Sequence, residues 1–421
     1  MVKEVKEEVK VVHDDFALEP VPEHARKGLL SMSMVMLGFT FFAASMWVGG
    51  SLGVGFRLWP DLVVVIMSGN AILGVYGALL SYASARTNLS VHTLARHAFG
   101  VQGSKLPSFM LAITQIGWFG VGVVMLAKPV NIFTGFPVWP MILIGGAFMT
   151  ITVYIGMEAI EWVSKIAVPA IIILGVMSMY KAVTGAGGLD ALMAIEPKAP
   201  LTFAAGVAMG VGSFISGATV TPDFTRFSKS TKVAMISTVS AFIFGNALMF
   251  FFGAFGALAT GMADTSEVLA AQGLMGAGIA LLALNIWTTN DNALYASGLG
   301  LSNITGFPRK YLTLLGGAVG TALSMFLYNN FVGWLTLLSI ALPPVGGIII
   351  GDYFLKWKCH YPDFHTHPFK QINWAAIIAM GVACLVGKFS PATGIFCIGP
   401  LNSIIVAAVV FLVADKIIYK D

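Results

Sequence analysis

Runs of about 20 apolar residues, cut by proline, glycine and clusters of charge, recur along the chain after residue 27. A helix crossing a bilayer needs about that many. The pattern predicts spans near 28–55, 62–85, 107–132, 138–156, 160–182, 202–221, 231–261, 269–298, 311–328, 331–350, 373–391 and 395–416, twelve membrane helices in all. Before them, residues 1–27 alternate Lys, Glu and Val and then carry Pro20, Pro22, Arg26 and Lys27. A cleaved leader would set a short positive stretch directly before a short apolar core; here the apolar run comes late and is too long, so a cytoplasmic tail is expected.

Positive charge tests this topology independently, because cytoplasmic loops hold the excess. With both termini inside, 19 of the 24 Lys and Arg fall on the cytoplasmic side, leaving Arg57, Lys128, Lys181, Lys198 and Lys388 on the other. An odd number of spans would scramble that asymmetry. The chain is 57% hydrophobic and 10% charged, where a soluble domain is about a quarter charged, which removes soluble and disordered classes. A net charge of +4 is too small and dispersed for a nucleic-acid face. Cys359, Cys384 and Cys397, an odd number confined to the last quarter, imply no disulfide framework.

Two spans are dense in glycine. The first runs Gly38-Phe39-Thr40-Phe41-Phe42-Ala43 and on to Gly49-Gly50-Ser51-Leu52-Gly53; the sixth runs Gly206-Val207-Ala208-Met209-Gly210-Val211-Gly212-Ser213-Phe214-Ile215-Ser216-Gly217 to Pro222. Each opens a set of five spans. Interrupted hydrophobic segments at matching places in two halves point to a secondary transporter with inverted repeats, because unwound backbone is tolerated in a membrane only where a cavity or ligand satisfies it. The competing reading is close helix packing through small residues; the paired placement favours interruption. The expected organisation is a tail at 1–27, a first repeat at 28–200, a second at 201–352, and a cytoplasmic loop with two peripheral helices at 353–421.

Polar groups inside a membrane are costly and each is a site hypothesis. In the eighth span Asn285, Thr288, Thr289 and Asn292 fall at i, i+3, i+4 and i+7, one helical stripe. Two adjacent hydroxyls and a carbonyl one turn earlier make a cluster of hard oxygens suited to a small cation such as sodium, by extension from harder ions. Asn290 and Asp291 point off the stripe: the first is expected to reach a substrate, the second to titrate. Gln115 and Trp118 share a face of the third span, and Ser213, Phe214 and Ser216 sit in the glycine-rich sixth. Aromatic faces with amides and hydroxyls suit a flat heteroaromatic ligand, since rings stack offset and a primary amide matches the edge of an amino-pyrimidine with one acceptor and two donors.

At these segments the chain resembles the nucleobase–cation symporters. The resemblance runs from Pro20 onward and is carried by Ala25-Arg26-Lys27-Gly28, by Phe41-Phe42-Ala43-Ala44-Ser45-Met46-Trp47, by Gln115-Ile116-Gly117-Trp118-Phe119-Gly120-Val121-Gly122, by Gly212-Ser213-Phe214-Ile215-Ser216, by Asp223-Phe224-Thr225-Arg226-Phe227, by Asn285 to Gly300, and by Tyr328-Asn329-Asn330-Phe331-Val332-Gly333-Trp334-Leu335-Thr336. It implies an all-α membrane protein of the leucine-transporter type: a five-plus-five inverted repeat with broken helices one and six, plus two peripheral helices. It further implies import of a nucleobase, cytosine, coupled to sodium, by a monomer in the bacterial cytoplasmic membrane. Trp118 and Phe214 would sandwich the base, with Gln115, Ser213, Ser216, Asn285 and Asn290 as its hydrogen-bond partners. Sodium would sit on the Thr288 and Thr289 hydroxyls and the carbonyls of Asn285, Phe39 and Phe42. Phe214, where relatives for other ligands tend to have Trp, favours a smaller ring over purine or hydantoin.

Asp223 and Arg226, i and i+3 at the inner end of the sixth helix, are expected to form an inner-gate ion pair, with Asp352 in the same network. Cys359-His360-Tyr361-Pro362-Asp363-Phe364-His365-Thr366-His367 matches no usual zinc spacing and is read as a solvated loop. An enzyme would need a nucleophile, metal or acid–base pair at the pocket, and all seven histidines fall in tails or loops. A channel would need a repeated pore-lining ring. The nearest rival is a proton-coupled permease for cytosine, a purine, uracil or a hydantoin, with Asp291 as carrier.

Overall fold

The computed structural model describes residues 15–390 and 398–419. Lys3, Lys6, Lys10, Lys420 and Cys397, used in the charge and cysteine arguments above, lie outside the described residues. The helices in chain order are α1 (Leu29–Thr40), α2 (Ala43–Gly55), α3 (Val63–Thr87), α4 (Val91–Phe99), α5 (Lys105–Thr134), α6 (Val138–Ile155), α7 (Met157–Gly185), α8 (Leu189–Met193), α9 (Phe203–Val220), α10 (Pro222–Thr225), α11 (Thr231–Ser240), α12 (Ala247–Thr260), α13 (Thr265–Ala271), α14 (Met275–Thr305), α15 (Arg309–Asn329), α16 (Phe331–Ala341), α17 (Pro343–Ile350), α18 (Trp374–Phe389) and α19 (Gly399–Tyr419).

Among the described residues nine continuous helices are long and apolar enough to cross a membrane, and α1 with α2 makes a tenth as a bent pair. The remaining two expected spans differ in kind. α14 has 31 residues, ample length, but its polar stripe lowers its hydropathy below that of a plain span. α18 has 16 residues, just short of the usual length. Large apolar side chains face outward along α6 and α7, among them Phe148, Ile151, Trp162 and Ile173, as a lipid-facing surface requires.

The first span is a bent pair, with its bend at Phe41 and Phe42 and not at a glycine. α1 and α2 meet at 56°, with Phe41 (φ −73°, ψ 91°) and Phe42 (φ −127°, ψ 128°) extended between them. In the last turn of α1, Thr40 Oγ1 donates to the carbonyls of Met36 at 3.1 Å and Leu37 at 3.3 Å, the back-bonding that loosens and bends helices at hydroxyl residues. Neighbours in extended backbone point opposite ways. Phe41 therefore enters a satellite cluster with Met46, Val168 and Met249, while Phe42 enters the main core.

The sixth span does not break at its glycines. α9 runs unbroken through Gly206, Gly210, Gly212 and Gly217 and ends at Val220; after Thr221 the short α10 begins at Pro222. The expected interruption around Gly212–Ser216 is replaced by close packing. A Cβ on Gly206 would lie 2.8 Å from the Phe56 ring and from Val65, and Gly69 and Gly210 bring α3 and α9 together backbone to backbone. Small residues at membrane helix interfaces allow that approach. α5 and α14 pack along each other, α3 lies on α9, and α2 on α12; the break between α1 and α2 faces the space these helices leave.

Candidate functional site

Phe39 and Phe42 from the break, Gln115 and Trp118 from α5, Ser213, Phe214, Ser216 and Gly217 from α9, and Thr289 and Ala293 from α14 enclose one small cavity. The space that the centre of a water-sized sphere can enter there is about 10 Å3, room for roughly one water. Its walls touch across it. Trp118 Nε1 donates to Ser216 Oγ at 2.8 Å. The Phe42 ring stands edge-on to Trp118 at 5.0 Å and to Phe214 at 5.8 Å, so Phe42 occupies the position between the two aromatics that sequence reasoning assigned to a flat ligand. Ser213 Oγ turns back to the Gly210 carbonyl at 2.9 Å, while Gln115 Nε2 is buried with no partner among the described residues.

The oxygens of α14 meet the break directly. Thr289 Oγ1 lies 2.8 Å from the Phe41 carbonyl and 3.0 Å from that of Asn285; Thr288 Oγ1 lies 2.9 Å from the same Asn285 oxygen. The first-span carbonyl in this group is thus that of Phe41. The Phe42 carbonyl instead accepts from Ser45 N and Met46 N and starts α2, since a helix must satisfy its first amides. Phe39, in the last turn of α1, contributes its ring to the cavity. All members are neutral hydroxyls and carbonyls, a donor set suited to a monovalent hard cation.

Two expected substrate ligands face elsewhere. Asn290 Nδ2 donates to the Phe119 carbonyl at 3.0 Å and lies 3.3 Å from Met149 Sδ, with its amide filling the space at Gly122. Asn285 Nδ2 points toward Met249 Sδ at 3.9 Å. Asn290 follows Thr289 by one residue and is rotated about 100° from it around α14, whereas Asn285 keeps the Thr289 stripe but lies one turn further along it, with its amide turned to Met249. Asp291 is fully buried against α6, where Oδ1 accepts from Thr152 Oγ1 at 2.9 Å and Oδ2 has no partner among the described residues. Trp287 Nε1 joins the same hydroxyl at 3.2 Å.

The cavity is closed thickly on the side of the N-terminal segment. The Phe224 ring lies tilted, 5.0 Å from Phe39 and 6.0 Å from Tyr295. Beyond them the Arg226 guanidinium, itself fully buried, donates to the carbonyls of Phe16 at 2.6 Å and Asp15 at 2.7 Å and to Tyr295 Oη at 3.0 Å. The expected ion pair between Asp223 and Arg226 is absent among the described residues; Arg226 Nε meets only the Asp223 main-chain oxygen, at 3.1 Å. The Asp223 carboxylate instead accepts from Val91 N at 2.9 Å and approaches His92 Nε2 at 3.5 Å, where it answers the free amides of the α4 N-terminus. Asp352 belongs to another cluster, bonded to Tyr361 Oη at 2.6 Å. On the opposite side, two turns along the same faces of α5 and α14, Met125 and Leu282 line a wider cavity of about 280 Å3 with Trp47, Lys128 and Tyr328.

A family of permeases for cytosine/purines, uracil, thiamine and allantoin matches residues 20–413. The chain belongs to this family. The cytosine permease of Escherichia coli (strain K12) is 49% identical over 407 residues, covering 97% of this chain and 96% of that protein. The hydantoin permease of Microbacterium maritypicum is 25% identical, covering 86% and 82%. In fold the chain resembles Mhp1, a nucleobase-cation-symport-1 family transporter solved in a closed conformation with bromovinylhydantoin bound, with TM-score 0.83 and 23% identity over 96% of this chain and 95% of that one. It is a membrane transporter and not an enzyme.

The permease has a buried polar chain beside the site that sequence reasoning passed over. Ser45 Oγ donates to Asn246 Oδ1 at 2.6 Å, Asn246 Nδ2 to Asn70 Oδ1 at 2.8 Å, and Asn70 Nδ2 to the Ile66 carbonyl at 2.9 Å. It ties α2 to α3 through the widened turn Ala241–Asn246. Lone asparagines inside the second and seventh apolar spans were the available signal. The permease's loop after residue 356 is also more ordered than a solvated loop: His97 of α4 stacks on Tyr361 at 3.9 Å and 6°, with Phe369 4.8 Å away. No group of metal ligands forms among the described residues.

Proposed function

We propose that the chain imports cytosine across a bacterial cytoplasmic membrane by alternating access, with sodium as co-substrate. The observation that carries this is the junction of the two sites at one peptide. Thr289 holds the Phe41 carbonyl, and the next side chain, Phe42, stands between Trp118 and Phe214. An ion on the Phe41 and Asn285 carbonyls and the Thr288 and Thr289 hydroxyls fixes the Phe41–Phe42 peptide, and through it the ring that must move for a base to stack. Ion and base are then positively coupled, and the coupling is reciprocal.

In this reading Trp118 and Phe214 hold the base by its faces, and Gln115 meets its edge with an amide nitrogen that has no partner among the described residues. Ser213 and Ser216 exchange their present bonds for the ligand. Identity with the cytosine permease of E. coli over nearly the whole chain supports cytosine. Asn285 and Asn290 act indirectly, Asn285 through its carbonyl and Asn290 by fixing α5 on α14. The architecture proposed is twelve spans with α14 and α18 included, five-plus-five inverted repeats at 28–200 and 201–352, both termini cytoplasmic, acting as a monomer.

The deciding measurement is thermal stabilisation of the purified protein by cytosine, uracil, adenine and hydantoin, each in sodium or potassium. Stabilisation by cytosine that is larger in sodium is expected; equal shifts in both salts overturn the sodium assignment, and a larger shift with another base overturns cytosine. One observation favours a second reading, proton coupling: Asp291 Oδ2, buried in the membrane interior with no partner among the described residues. If Asp291→Asn abolishes uptake while both ligands still bind, proton coupling gains; if uptake is kept, that reading is overturned.

A further inference from the structure

A second large recess lies far from the transport path, where the inner ends of α17 and α19 meet the loop before α18. Lys356, Lys358, Lys370, Lys416, Asp415 and Tyr419 surround it with Leu355 and Leu412, and its open volume is about 610 Å3. It is a built recess. Lys356 Nζ is held by Asp415 Oδ2 at 2.7 Å, and Asn373 Nδ2 reaches Asp415 Oδ1 at 3.4 Å. Tyr419 Oη accepts from Trp374 N at 3.1 Å, which pins the loop to the end of α19, and Lys370 Nζ lies 3.1 Å from the Tyr419 ring centroid.

Among the described residues its charge does not cancel: Lys356, Lys358 and Lys416 meet one lining carboxylate, that of Asp415, which is already shared by Lys356 and Asn373. Lys358 and Lys416 are exposed and have no carboxylate partner among the described residues. The recess also straddles a phase boundary. Lys356 and Tyr419 end two of the apolar membrane helices, Leu355 is 61% exposed and Trp374 56%, and exposed Val409, Val413 and Ile417 continue from it along α19. Lysines at such a boundary ordinarily act as separate anchors with their heads in water. Here they converge on a single concave space with an apolar wall leading into the membrane, the arrangement that receives an anionic headgroup on the cytoplasmic side.

We propose that this recess binds an anionic phospholipid, its headgroup phosphate between Lys358 and Lys416 and its acyl chains against Leu355, Leu412 and the outer face of α19. The site is independent of what the permease transports. Each lysine near such a phosphate is worth roughly a factor of five in affinity, so removing both costs about 25-fold.

The test is native mass spectrometry of the full-length protein titrated with phosphatidylglycerol or phosphatidylcholine, for the natural chain, K358Q, K416Q and the double variant. Phosphatidylglycerol is expected to be retained preferentially, with loss of about fivefold in each single variant and about 25-fold in the double one. Equal retention of the two lipids, or full retention by the double variant, overturns the proposal. Inorganic phosphate is added at millimolar concentration as a third arm; displacement of the lipid by it would show a site for free phosphate instead. Both lysines are exposed and without a carboxylate partner among the described residues, so thermal midpoints in phosphatidylcholine should not change, and the single variants report separately should the double one be unstable.

Discussion

One hydroxyl, that of Thr289, contacts two carbonyls from different helices, Phe41 at 2.8 Å and Asn285 at 3.0 Å. Thr289→Ala removes the oxygen common to both, and sodium-dependent stabilisation should fall about tenfold in apparent affinity, the size of one lost polar interaction. Cytosine affinity measured by calorimetry should fall with it in sodium and stay unchanged in potassium. Gly217 supports the neighbouring aromatic: a Cβ there would enter the space held by the Phe214 ring. Gly217→Ala should therefore weaken cytosine binding while sparing sodium binding, read by the same titrations. At this scale much was legible. Gln115, Trp118, Ser213, Phe214, Ser216 and Thr289 reach one cavity because residue type and helical phase together restrict what a costly polar side chain can face. Asn290 misleads for the same reason in reverse, since an amide inside a membrane is equally at home on a bare carbonyl such as that of Phe119.

The two glycine-rich segments look alike in sequence and fold differently. In the first, the break falls at Phe41 and Phe42, which have no glycine between them, and follows from Thr40 loosening the final turn and from two phenylalanines seeking separate clusters. In the second, glycines hold a continuous helix against α3. Glycine count reports close approach or unwinding without distinguishing them; the difference is set by what lies across the interface, which one sequence does not display. The polar chain through Asn246 binds α2, α3 and the turn at 241–246. Asn246→Ala leaves Ser45 and Asn70 without their partner and should cost about 1–3 kcal/mol, the penalty for buried polar groups left unsatisfied, visible as a lower denaturation midpoint with cytosine selectivity kept. α4 and the loop after 356 carry a pH effect. Burial, with His367 nearby, holds the His97 imidazole down at about 3, below its ordinary value of roughly 6.5. The unfolded chain binds that proton first, so the stability from neutral His97 is complete above pH 6.5 and declines as pH falls toward 3. Thermal midpoints between pH 7.5 and 5 should decline in the natural protein and flatten in His97→Phe.

At the scale of the whole molecule the two sides of the cavity are unequal. Toward the wider cavity at Trp47 and Tyr328, the Phe42 ring stands against Trp118 and Phe214. Toward the N-terminal segment the barrier is a layer of Phe39, Phe224 and Tyr295 sealed by Arg226, and the chain before the first span supplies the seal. Asp15 accepts from Met157 N at 2.9 Å and lies 3.4 Å from Arg309 Nη2. Gly156, at φ +106°, gives its carboxylate room that any side chain would fill. Lys27 adds an ion pair to Glu161 at 2.6 Å. A polar tail reads in sequence as solvent-exposed, because its partners, a main-chain amide at Met157 and the distant Arg226 and Arg309, are revealed by no local pattern. Opening on this side has to release Arg226 from three acceptors at once. In a chain whose native cysteines are replaced and Ala293, a cavity residue, is changed to Cys, Arg226→Gln should raise the rate of labelling by a membrane-impermeant thiol reagent in inside-out vesicles roughly tenfold, the scale of a lost charge-assisted hydrogen bond. Labelling from the outer side of right-side-out vesicles should fall, since the proposed alternating access closes one side as the other opens. If the inner rate stays unchanged in a variant that still binds cytosine, the barrier lies in the aromatic layer of Phe39, Phe224 and Tyr295 and not in the arginine and the segment it holds.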